Sequence, residues 1–62
     1  MNYKPLPQTT TKYGYTYNQL KRTEKIALYE VLNEKGENRG YEVFEIKLSK
    51  GGEVWGQQLE PQ

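Results

Sequence analysis

No cysteine occurs in this chain of 62 residues, and short length without a covalent staple is what most limits its fold. A domain near 60 residues buries only about 60% of the surface its unfolded chain exposes, and one core of that size rarely supplies more than roughly 3 to 5 kcal/mol. Histidine is absent as well, and all eight acids are glutamate. Disulfides, Cys/His zinc sites, Ser-His-Asp and Cys-His nucleophile systems and histidine general bases are therefore excluded. A two-domain enzyme with a cleft between lobes is excluded by length. The expectation is one thin, non-enzymatic domain without cofactor or metal, which needs close packing, a partner or a second copy of itself.

The net charge of +1 hides an asymmetry. Residues 1–25 carry Lys4, Lys12, Lys21, Arg22 and Lys25 against Glu24 alone, a balance of +4, and residues 26–62 sum to −3. Tyrosine is skewed the same way, with Tyr3, Tyr13, Tyr15 and Tyr17 in the first part. A basic, tyrosine-rich start thus precedes an acidic body. Pro5 and Pro7 bracket Leu6 ahead of a threonine run, so residues 1–11 read as a flexible or extended arm. Residues 12–59 read as a single small β domain and residues 60–62 as a frayed tail. No run of 18 apolar residues is present and the start lacks the apolar core of a secretion signal, which implies a cytoplasmic protein with no membrane partner.

Tyr13, Tyr15 and Tyr17 alternate with small residues, which places three rings on one face of a strand. Asn18 to Arg22 reads as a connection. Over 23–35 two patterns compete. A helix would gather Ala27, Leu28, Val31 and Leu32 on one side with Gly36 as its C-cap. A strand would put Ile26, Leu28, Glu30 and Leu32 on one face and Ala27, Tyr29 and Val31 on the other. Tyr41 to Leu48 alternates more clearly, with Phe44, Ile46 and Leu48 opposed to Tyr41, Val43, Glu45 and Lys47. Setting Asn33 opposite Tyr41 makes Val31 meet Val43 and Leu28 meet Ile46, as cross-strand packing requires. The expected fold is therefore mainly β, an antiparallel meander of three to four strands, with an α+β fold carrying a helix at 23–35 as the alternative.

A turn at Ser49-Lys50-Gly51-Gly52 leads into a short strand, Glu53 to Gln57. Pairing Leu48 with Val54 gives a core face of Ile26, Leu28, Leu32, Phe44, Ile46, Leu48 and Val54. The second face would carry Ala27, Tyr29, Val31, Tyr41, Val43 and Trp55, too apolar to lie bare. The tyrosine strand could cover it, or a second copy, or a partner, since Tyr and Trp are enriched at binding hot spots.

Chemistry is sparse. Glu42 and Glu45 point to opposite faces and form no carboxylate pair, and Gly51-Gly52 is no phosphate loop. Basic residues interleaved with aromatics suit single-stranded nucleic acid, where rings stack on bases and Lys12, Lys21, Arg22 and Lys25 neutralise phosphate, although a net +1 is small for that role. A small-molecule sponge formed at a dimer interface, with basic residues around tyrosines holding a phosphate-bearing ring, is a further alternative.

Three stretches carry a resemblance: Lys25-Ile26-Ala27-Leu28-Tyr29-Glu30-Val31, Gly40 to Lys47, and Lys50-Gly51-Gly52-Glu53-Val54-Trp55-Gly56. Over residues 22–59 the chain resembles small uncharacterised proteins of bacteriophages and mobile elements. That resemblance implies stoichiometric action on a host factor inside an infected bacterium, such as inhibition of a CRISPR nuclease or, as the alternative, capture of a cyclic nucleotide by an oligomeric sponge. The contact residues expected from the aromatic face and basic arm are Lys12, Tyr13, Tyr15, Tyr17, Lys21, Arg22, Tyr29, Tyr41 and Trp55.

Overall fold

A computed structural model describes residues 3–59, and among them there are five strands and no helix. The strands β1 (Thr9–Lys12), β2 (Tyr15–Arg22), β3 (Ile26–Leu32), β4 (Asn38–Ser49) and β5 (Gly52–Leu59) pair in chain order as an antiparallel, all-β meander. The helix weighed over 23–35 does not form. Ala27, Tyr29 and Val31 are buried while the residues between them are not, and that period of two belongs to a strand. Two strands more than the minimum expected are present because polar segments join the sheet: Asn18 to Arg22 continues β2 rather than connecting, and the threonine run forms β1. The tail at 60–62 and the first two residues of the arm lie outside the described residues.

The two tightest turns differ in what they ask of the chain. Between β1 and β2, Tyr13 and Gly14 both take positive φ, 53° and 82°, as a two-residue hairpin twisting with its strands requires. Tyr13 is therefore in the turn and not on the strand face with Tyr15 and Tyr17. Between β4 and β5, Lys50 and Gly51 form the turn and Ser49 faces Gly52. Gly52, at φ 151°, gives the arm room: a Cβ there would collide with the backbone of Lys4.

The arm makes the sheet curl. Lys4 bridges Gly52 in parallel, its N–H donating to Gly51 O (3.0 Å) and its carbonyl accepting from Glu53 N (2.7 Å). Five residues on, the same segment pairs with β2 as β1. One extended stretch therefore touches both edges of the meander, and Leu6 between them is 4% exposed against the inner face.

The within-strand alternations hold, but the register between strands does not, and this exchanges the faces. Val31 meets Gly40 rather than Val43, and Leu28 meets Val43 rather than Ile46, a shift of three residues. An odd shift turns every side chain of one strand to the opposite face. The cause is local: Asn33 Oδ1 accepts from the N–H groups of Lys35 and Glu37, both at 2.9 Å, closing a shorter loop than the seven residues expected. On the other side, Trp55 pairs with Ile46 and Val54 with Lys47, one residue from the expected pairing. The core is therefore Leu6, Ala27, Tyr29, Val31 and Phe44, with Tyr17, Ile46 and Trp55 packed on it. Ile26, Leu28, Leu32 and Val54, expected inside, lie on the outer face with Glu30 and Tyr41, and Leu48, expected inside as well, is 75% exposed.

Candidate functional site

Tyr17 comes from β2, Tyr29 from β3, Phe44 from β4 and Trp55 from β5, one ring from each of four adjacent strands. Phe44 and Trp55 stack at 4.7 Å between centroids with 21° between planes, while Tyr29 and Tyr17 meet Trp55 tilted, at 5.1 and 5.5 Å. Such pairs add to the burial of their area. Tyr29 has no exposed surface, yet its hydroxyl is satisfied twice: it donates to Pro7 O at 2.6 Å and accepts from Gln19 Nε2 at 3.1 Å. The bond to Pro7 fastens the arm over the rings, and that from Gln19 ties the same hydroxyl to β2. Burial, with Glu42 and Tyr15 adding to it, raises the Tyr17 phenol above its ordinary range. Across the rim Lys12 Nζ sits 4.5 Å from the Trp55 ring centroid, a cation–π contact.

At the closed end of the sheet Glu53 is a junction. Its carboxylate accepts both guanidinium nitrogens of Arg22 (2.6 and 2.9 Å), the Tyr3 hydroxyl (2.7 Å) and the Leu6 N–H (2.9 Å). The Arg22 bonds first, then those of Tyr3 and Leu6, hold its pKa at about 2. The same contact raises the Tyr3 and Arg22 values. Bidentate geometry and a side chain only 6% exposed distinguish this pair from an ordinary surface ion pair.

The opposite end is arranged differently. The β1–β2 turn and the β3–β4 loop meet there, with Glu34 packed beside Gly14. Two adjoining hollows share Tyr15: Tyr13, Glu34 and Lys35 line one, and Arg39, Tyr41 and Glu42 line the other. Tyr13 is 94% exposed, Tyr41 57% and Tyr15 40%. No side-chain hydrogen bond holds any of the three hydroxyls among the described residues.

The nine residues expected to make contact therefore do not share one surface. Tyr17, Tyr29 and Trp55 are packed together on the inner face, Arg22 is paired to Glu53, Lys12 leans on Trp55, and Lys21 stands exposed on β2. Tyr13, Tyr15 and Tyr41 gather at one end. Sequence reasoning did not single out Leu6 and Glu53 at the closed end, nor Arg39, which stands in β4 beside Tyr41. Glu53 had a readable signal, because two residues before Trp55 it shares that ring's face. Comparison with known proteins adds no relative: no family model matches the chain, and no match is found among curated proteins or solved structures.

Proposed function

We propose that this is a small, non-enzymatic binding protein that acts stoichiometrically on another protein, and that its tyrosine end makes the contact. The observation that carries this reading is Tyr13. A non-glycine residue at φ 53° costs about 1 to 2 kcal/mol, and here the side chain recovers nothing by packing, being 94% exposed. The hairpin requires the positive φ, but glycine would meet that requirement without strain, and a tyrosine kept there with its ring unpacked supports a role outside the fold. Tyr15, which shares a hollow with Tyr13, and Tyr41 and Arg39 in the adjoining hollow are of residue types enriched at binding hot spots. The resemblance to bacteriophage and mobile-element proteins supports a host defence protein as the partner. Single-stranded nucleic acid fits this arrangement less well, since Tyr17, Tyr29 and Trp55 are occupied with one another, with Lys12 over Trp55.

Affinity capture from bacterial lysate with the wild-type chain and the double variant Tyr13→Ala/Tyr41→Ala tests the reading. A protein partner held in roughly one-to-one ratio by the wild type and lost by the variant is expected. Undiminished capture by a folded variant would remove the tyrosine end from the contact, and salt-sensitive capture of nucleic acid alone would replace the reading.

A further inference from the structure

The sheet is closed at one end and split at the other. Beyond the Lys4–Gly52 bridge, the arm with β1 and the edge of β5 run in the same direction but separate. No Cα of β1 comes within 8 Å of one in β5, whereas paired strands lie about 4.8 Å apart. The split has a chemical cause. A parallel ladder would continue through Leu6, but the Leu6 N–H is taken by the Glu53 side chain at 2.9 Å, and Pro5 and Pro7 have no N–H to give. Lys12 still reaches across to Trp55, so the gap stays within the span of one lysine side chain.

Both walls of this seam carry unused backbone groups. In the β1–β2 hairpin the hydrogen-bonded positions alternate from Lys12, so Thr10 and Gln8 face β2, as the 2.7 Å bond from Gln19 N to Gln8 O shows. Thr9 and Thr11 therefore turn their N–H and C=O groups into the seam. On β5, Glu53 faces the arm, and Trp55 is next along the same edge. Leu6, Pro7, Thr10 and Val54 line the floor and rim. Glu53 is neutralised by Arg22, which leaves Lys12, over the Trp55 ring and in no ion pair among the described residues, as the uncompensated charge there.

We infer that the seam receives one extended segment of a partner protein. The segment runs antiparallel to both β1 and β5, completes a closed six-stranded barrel, and sets an acidic side chain beside Lys12. This rests on the reading that the protein binds proteins, and adds the mode: strand addition, in which backbone bonds give affinity and alternate side chains give specificity. A slot paired on both sides needs a strand with both edges free. A second copy has none to offer among the described residues, because each of its five strands is already paired on at least one edge.

The test is selection of random 12-residue displayed peptides against the full chain, followed by titration of a synthetic selected peptide into the ¹⁵N-labelled protein. Enriched peptides should alternate apolar and polar residues with a recurring Glu or Asp. They should shift the amides of Thr9, Thr11 and Trp55, and lose about tenfold or more in affinity for Thr11→Pro, which removes one donor facing the seam but none facing β2. Lys12→Glu, which alters no backbone group, should turn the selected acid to Lys or Arg and serves alone if Thr11→Pro fails to fold. The seam is refuted if no peptide is enriched, or if peptides bind both variants as they bind the wild type. Peptides that instead shift Tyr13, Tyr15 and Tyr41 would discard the seam while keeping the protein-binding reading. A dimer whose Thr9 and Thr11 amides are protected without peptide would give the seam to a second copy and overturn the proposal.

Discussion

The two ends of the curled sheet draw on the same residue types and use them in opposite ways. At the closed end Tyr3, Arg22 and Glu53 satisfy one another and hold the arm, while at the other end Tyr13, Tyr15 and Arg39 stand beside Glu34 and Glu42, and the tyrosines make no side-chain hydrogen bond among the described residues. Composition therefore does not separate a structural tyrosine or arginine from one free to bind. What separates them is whether the backbone register brings a partner within reach. Leu48 opposite Glu53 sets the carboxylate on the inner face, where Arg22, opposite Ala27, and the arm can both reach it.

The largest effect should come from the link between these ends. Tyr29→Ala removes a wholly buried ring and both bonds of its hydroxyl, a loss of about 3 to 5 kcal/mol. That matches the whole stability of a domain this size, so the chain should be unfolded at 25 °C by circular dichroism. Tyr29→Phe keeps the ring and should cost only about 1 kcal/mol in a urea titration. A folded Tyr29→Ala protein would mean that the two ends are stabilised independently.

An intermediate effect is expected at the closed end, and it depends on pH. The Glu53 carboxyl titrates at about 2 in the folded chain against an ordinary value of 4.5. As pH falls below 4.5 the unfolded chain takes up the proton first, so the contribution of Glu53 is complete above that value and is lost as pH approaches 2. The urea midpoint of the wild type should fall across this window more steeply than that of Glu53→Gln, and the variant should show faster amide exchange at Leu6. Equal slopes would show that the arm is not clasped in solution.

How much of this could be read beforehand follows the range of each interaction. Alternation within a strand is local, and the separation of Ala27, Tyr29 and Val31 from Ile26 and Leu28 was legible, as was that of Phe44 and Ile46 from Glu45 and Lys47, whereas Leu48, read with the core, is exposed. Register joins residues far apart in the chain and was decided by the Asn33 side chain and by a two-residue turn, each worth only a few hydrogen bonds. Maximising apolar pairs gave a self-consistent answer with the faces exchanged, because both faces of β3 are apolar. The tyrosine excess was visible from the start, but which of the six rings would be buried depended on that register. A polar β1 left no pattern at all, since an edge strand of threonines need bury nothing.

The smallest effect on stability is expected at the tyrosine end, and there stability and binding should part. Tyr13→Gly relieves a positive φ that a side chain disfavours, so the hairpin should gain about 1 kcal/mol and the melting temperature should rise. Tyr41→Ala, on the exposed outer face, should change stability by less than about 0.5 kcal/mol. Both variants should nevertheless bind the captured partner more weakly, the trade-off expected where strain is kept for function. If Tyr13→Gly is more stable and binds as well as the wild type, the strained turn serves neither fold nor contact, and the contrast between the two ends reduces to packing alone.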